Sequence, residues 1–232
     1  MENLDLGSKR KLSTKFNRKK YLTFSHIEDD TFHPVLGEGC RKLEYITDLC
    51  RKRDFCIQAG CNCGIFPDYL AENFKKVITF DPFDENIKHA IKNLSNHNNI
   101  EIIKGALLDK PGFCKTLFNT KNCGASKIEF DQNGTVPVFT IDDIIFNNSN
   151  QIDSCDLIYL DVEGCEYLAI LGAAKTIEQF KPILVLENNG LIPQFPSSLD
   201  GSQKFREYIE SLGYIYTKRI MRDDIFIPQT KT

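Results

Sequence analysis

The chain has 232 residues, 41% of them hydrophobic and 26% charged, with a formal net charge of −3 at pH 7. That is enough for one globular domain with a sizeable core, and the near-neutral balance excludes a protein that coats nucleic acid with its whole surface. No run of about 18 apolar residues occurs and the opening MENLDLGSKRKLSTKF lacks the apolar stretch of a secretory leader, so the expected setting is cytoplasmic, without a membrane span.

Residues 9–20, KRKLSTKFNRKK, carry seven basic side chains and no acid. Such a run reads as a solvated tail or as an electrostatic handle for an anionic partner such as RNA. Residues 1–50 are expected to form this basic tail and an N-terminal helical lid segment. The lid includes the His33 loop, DDTFHPVLGEG, and CRKLEYITDLC at 40–50 places Leu43, Ile46, Thr47 and Cys50 at helical spacing. The other histidines, His26, His89 and His97, share no spacing and read as surface groups.

The main domain, 51–232, opens with the strand RDFCIQAG and the helix FPDYLAENF, which has Pro67 and Asp68 in its first turn. KKVITFDP, DENIKHAIKNLSNH and NIEIIKGALL follow as strand, helix and strand. A β-rich insertion is expected near 113–138, broken by Gly124, Gly134 and Pro137. Alternation resumes with FTIDDIIF ending in a helix, SCDLIYLDVEG as strand, YLAILGAAKTIEQF as one helix and KPILVLENN as strand. DGSQKFREYIESLG is a helix with Gly213 as its stop signal, and YIYTKRI and DDIFIPQ form an antiparallel C-terminal strand pair. The order implies a doubly wound, Rossmann-like α/β sheet, mostly parallel, with ligands outside the carboxyl ends of the strands.

Nine cysteines, odd in number and scattered, point to reduced thiols. Cys61 and Cys63 form a C-x-C without a second ligand pair, so no structural zinc is expected. Gly60 and Gly64 lie between the first strand and helix, where glycine lets the backbone approach a ligand. Asp81 follows Gly60 by 21 residues at the end of the second strand, where a carboxylate takes ribose hydroxyls. The run G-C-N-C-G-I-F is not G-x-G-x-x-G. A looser turn with polar Asn62 suits the carboxylate and amino group of S-adenosylmethionine better than a pyrophosphate, and small Gly105 and Ala106 would let backbone groups reach an adenine edge.

Three blocks, IQAGCNCGIFPDYLAENFKKVITFDPFDENI, VPVFTIDDI and LIYLDVEGCEYLAILGAAKTIEQFKPILVLE, together resemble the FkbM family of S-adenosylmethionine-dependent methyltransferases, over roughly residues 55–190. The resemblance implies a S-adenosylmethionine-binding methyltransferase domain at 51–232, with Gly60, Asn62 and Gly64 around the methionine portion, Asp81 on the ribose and Phe83 beside the adenine. Gln58 stands where many members carry an acid, at a position facing the cofactor's amino end. Asp161, at the end of the fourth long strand, would lie nearest the transferring methyl group.

Methyl transfer from a sulfonium is an in-line displacement, so the protein aligns the two partners and accepts a hydroxyl's proton. Asp161, Glu163 and Glu187 are the candidate catalytic groups. Structural alternatives stand beside them: Glu163 as a helix cap, Glu166 as a first-turn acid and Glu187 as an anchor for the loop that follows. The favoured activity is O-methylation of a hydroxyl on a sugar, lipid or small metabolite. Alternatives are an RNA ribose 2′-O-methyltransferase or a non-catalytic S-adenosylmethionine-binding module. The RNA reading needs a lysine-aspartate-lysine-glutamate tetrad, for which only Lys52 and Lys181 are near in sequence. Asp161, Glu187 and Asn188 also offer oxygen ligands to a magnesium ion.

Overall fold

The computed structural model describes residues 40–117, 126–147, 152–190 and 199–229. The basic stretch 9–20, the His33 loop and the Pro-rich segment 191–198 lie outside these residues.

In chain order the elements are α1 (Cys40–Leu49), β1 (Phe55–Ala59), α2 (Ile65–Asn73), β2 (Lys76–Asp81), α3 (Asp84–Asn93), β3 (Ile100–Lys104), β4 (Ala106–Leu107), β5 (Gly112–Leu117), β6 (Lys127–Phe130), β7 (Val136–Phe139), α4 (Ile141–Phe146), β8 (Leu157–Leu160), α5 (Glu166–Leu171), α6 (Ala174–Phe180), β9 (Ile183–Glu187), α7 (Leu199–Ser211), β10 (Tyr214–Ile220) and β11 (Asp223–Pro228). The main sheet runs β10-β11-β9-β8-β1-β2-β3. Its central strands are parallel, and β11 is antiparallel to both β9 and β10. This is the doubly wound α/β sheet expected, with the antiparallel pair at the C-terminus. The strand order reverses between β1 and β8, which opens the crevice where such sheets take ligands.

The middle strands FCIQA, LIYL and ILVLE are buried throughout because helices cover both faces. One core joins Ile57, Ile158, Leu160, Leu184 and Leu186 to Ile144, Ile177 and Phe205. The other joins Cys56, Val77, Leu157, Tyr159 and Val185 to Leu43, Ile46, Phe66 and Leu70 of α1 and α2. Strand residues two apart share a face. Extending the second face toward the strand ends therefore brings Gln58, Asp81, Asp161 and Glu187 to one side of the sheet, and Asp223 joins them as the cross-strand partner of Glu187. Among the described residues no helix is long and apolar enough to cross a membrane.

Two elements differ from the sequence expectation. The third strand stops at Lys104, and Ala106–Leu107 pairs instead with β7 in a separate sheet of order β4-β7-β5-β6. Gly105 makes the step: a Cβ there would lie 2.6 Å from the Phe139 ring. The helix expected across 167–180 is two helices broken at Gly172, where a Cβ would sit 2.1 Å from the Leu108 carbonyl oxygen.

Candidate active site

The turn after β1 is built by polar contacts around glycines. Gly60 (φ 84°) donates its N–H to the Phe80 carbonyl at 2.9 Å, and a Cβ on it would meet the Asp161 carbonyl oxygen at 1.9 Å. Asn62, at φ 48°, sits in the left-handed region that asparagine tolerates, and Gly64 (φ 95°) caps α2. Gln58 is fully buried. Its amide donates to the Ala59 and Gly60 carbonyls at 3.0 Å each and its oxygen accepts from Thr79, so it braces the turn from beneath. An acid at this position could not donate to those carbonyls.

Asp81 ends β2 and is 3% exposed. Its carboxylate accepts N–H groups from Asn62 (2.9 Å) and Phe83 (3.0 Å) and the Asn86 amide (3.1 Å), tying the glycine turn to the start of α3. Burial raises its pKa to about 7 against those hydrogen bonds. Asn86 is equally buried, and its Oδ1 has no hydrogen-bond partner among the described residues. An unmatched buried acceptor beside a carboxylate is costly unless a ligand donates to it. The Asp81–Asn86 corner therefore suits a ligand rich in hydroxyl or amino donors, such as a ribose and adenine. Phe83 is buried at the N-terminus of α3. Gly105 gives its N–H to the Asp81 carbonyl and its open side to Phe139, while Ala106 is buried in β4.

At the neighbouring strand ends, single carboxylate oxygens of Asp161, Glu163 and Glu187 lie within 4.8 Å of one another. Burial raises all three pKa values. In Glu163 the Asp161 charge adds to it and the value reaches about 7. Asp161 is raised by burial and by the Asp223 charge, with Lys42 and a hydrogen bond to Glu187 opposing the rise, and Glu187 is raised further, by burial and by the charges of Asp161 and Glu163. Asn189 bridges Glu163 and Glu187 with donor distances of 3.0 Å to both.

Glu163 (φ 52°) does not cap a helix. Glu166, the first-turn acid of α5, accepts the Val162 N–H at 2.9 Å and the Gly164 N–H at 3.0 Å and so shapes the turn that presents Glu163. Asn188, expected beside the acids, donates to Asp224 at 2.8 Å, and it is Asn189 that contacts Glu163 and Glu187. Strand alternation is the reason, since residue 189 shares the face of 187. Three clustered carboxylates have the chemistry to hold a divalent cation, with Asn189 rather than Asn188 beside them.

Beneath the acids lies a network the sequence did not reveal. Lys42 of α1, almost wholly buried, pairs with Asp223 at 2.5 Å, and the Tyr159 hydroxyl donates to the same oxygen at 2.8 Å. Lys42 also lies 4.8 Å from the Phe66 ring centroid. Its charge opposes the rise in the Asp161 pKa. Lys181 is far from this corner, ending α6 and donating to the Leu212 carbonyl at 3.4 Å.

A doubly wound sheet with a glycine turn and carboxylate-tipped strands at its switch point is the frame of a nucleotide-cofactor enzyme. The chain matches the Methyltransferase FkbM domain over residues 65–216, and it belongs to that family. It is a methyltransferase, and S-adenosylmethionine is the methyl donor of the family. No curated protein sequence matches it. Similar solved structures include the methyltransferase FkbM from Methylobacillus flagellatus KT, at 19% identity, covering 90% of this chain and 58% of that one with a TM-score of 0.48. The fibrillarin pre-rRNA processing protein of Methanococcus jannaschii is 14% identical, covering 78% and 69% with a TM-score of 0.49. M. capricolum TrmK, in complex with the cofactor product S-adenosyl-homocysteine, is 13% identical, covering 80% and 66% with a TM-score of 0.43.

Proposed function

We propose that the chain methylates a hydroxyl of a sugar, lipid or small metabolite, with Asp161 as the proton acceptor. The observation that carries this is the carboxylate cluster at the ends of β8 and β9, set against the glycine turn at the switch point. S-adenosylmethionine supplies a methyl group on a sulfonium. As the acceptor oxygen bonds to that carbon the carbon–sulfur bond breaks toward sulfur, and the hydroxyl proton must leave. Asp161, less raised in pKa than Glu187, is the ionised partner that takes it. Glu187, the more strongly raised, holds a proton and keeps the pair from repelling. Glu163 and Asn189 orient the acceptor.

Gly60, Asn62 and Gly64 bound the methionine portion in this reading, Asp81 and Asn86 the ribose edge, and Phe83, Gly105 and Ala106 the adenine side, with Gln58 bracing the turn. Asp81→Ala should weaken S-adenosylmethionine binding by about 1.5–3 kcal/mol, the range for hydrogen bonds to a charged group. Calorimetry on a variant that still melts cooperatively checks this, and unchanged affinity would remove Asp81 from the ribose.

RNA is the second reading, and Lys42 is its specific support: a lysine does lie beside Asp161. Lys42 is, however, neutralised by Asp223, and the other two acidic positions of the cluster are Glu163 and Glu187. Radiolabelled S-adenosylmethionine incubated with a cell lysate, sorted into RNA, glycan, lipid, protein and small-molecule fractions, decides between them. Alkali-stable, oxygen-linked label in the glycan, lipid or small-molecule fraction is expected, and label confined to RNA ribose would overturn the preferred acceptor. Loss of incorporation with EDTA and its return with magnesium would show metal dependence, for which the three carboxylates are the candidate ligands.

A further inference from the structure

The acid cluster is flanked by a cation from the C-terminal hairpin. Arg222 sits in the turn between β10 and β11, and its side chain is 72% exposed. Its guanidinium reaches only to 3.9 Å from Glu187 and makes no hydrogen bond among the described residues. Its charge also reaches Glu163, where it opposes the effect of burial and of Asp161.

The Arg222 turn is not a loose loop. Asp223 pairs in register with Glu187, and the Asn188 N–H bonds to the Arg222 carbonyl at 2.8 Å, so the turn is fastened to the end of β9. Met221, at φ 56° and 47% exposed, stands next to it. That angle is the one a two-residue hairpin turn requires, with Ile220 and Asp223 paired on either side. A guanidinium with its donor fork uncommitted matches the geometry of a carboxylate or phosphate.

We propose that Arg222 forms the acceptor-recognition rim of this site and binds an anionic group, phosphate or carboxylate, that a small acceptor carries near its reacting hydroxyl. This rests on the hydroxyl-methylation reading above. The hydroxyl lies at Asp161 and the charged group at the Arg222 guanidinium. The rim also explains how an anion enters a cleft lined with carboxylates: the attraction at its mouth is nearer to the ligand's charge than the repulsion from the acids below.

The test uses the full-length protein, tritiated S-adenosylmethionine and a low-molecular-weight cell extract, one half of it treated with alkaline phosphatase. Labelled product is separated on an anion exchanger. Retained, oxygen-linked label is expected; its loss after phosphatase identifies a phosphomonoester and its persistence a carboxylate or phosphodiester. On the purified acceptor fraction, Arg222→Met should raise KM about tenfold, the scale of one charge-assisted contact. S-adenosylmethionine affinity should be unchanged by calorimetry, and Arg222→Lys should recover part of the loss. Oxygen-linked label in uncharged or macromolecular products, or an unchanged KM in the Arg222→Met variant, would overturn the rim and leave the hydroxyl reading standing. Nitrogen-linked label, or none from protein that binds the cofactor, would overturn the hydroxyl reading and the rim with it.

Discussion

Asp161→Asn is expected to lower turnover by roughly 10²–10⁴, the usual worth of a positioned general base, while S-adenosylmethionine affinity largely survives. Asparagine keeps the shape at the end of β8 but cannot take a proton. The pH profile separates this from a structural effect. A base works when ionised, and the folded-state pKa of Asp161 is raised by burial and by the Asp223 charge. The rate should therefore climb with pH through a value above the ordinary carboxylate range. In the Asn variant that limb should disappear along with most of the rate. Full activity with an unchanged profile would move the role to Glu163 or Glu187.

Gly60→Ala should be the most damaging change in the cofactor turn. A left-handed angle costs an alanine about 1–2 kcal/mol, and forcing a methyl into filled space adds about 1–3 kcal/mol. Here the new Cβ would lie 1.9 Å from the Asp161 carbonyl oxygen, so relief requires moving either the turn or the end of β8. Because the Asp161 N–H is bonded to the Ala59 carbonyl at 3.1 Å, the two strands move together. Urea unfolding should show a fall in stability of about 2–5 kcal/mol, and the folded fraction should bind cofactor poorly and turn over slowly. Native stability in this variant would mean that the turn and Asp161 are not in contact in solution.

The sheet was legible because its strands are short apolar runs that end in acids, and because helix periodicity and glycine stops separate them. Gly60, Asp81, Asp161 and Glu187 could be placed at strand ends from that pattern alone. Asn189 could have been found too, since two residues beyond Glu187 is the same face of a strand. Lys42, Asp223 and Arg222 were hidden for another reason: each reaches the site through long-range packing or register, and nothing local to KLEYI or RDDIF distinguishes a buried or rim charge from a solvated one. Gly105 and Gln58 show the reverse difficulty. Their residue types fit a cofactor contact, yet packing against Phe139 and bonding to the Gly60 carbonyl account for much of what they do. Gly172 escaped notice because a glycine inside a good amphipathic pattern resembles a tolerated interruption until the Leu108 carbonyl is seen against it.

The Lys42–Asp223 pair joins the first described helix to the last strand, and both residues lie outside the block 65–216 that matches the family. β1, the strand at the switch point, lies outside it as well. A cassette cut at the family borders and moved into another protein would carry β2 and β8 without the strand that separates them, and would leave the Tyr159 hydroxyl without its acceptor. The unit that can be transplanted is set by this clasp between the chain's two ends, and it runs at least from α1 to β11.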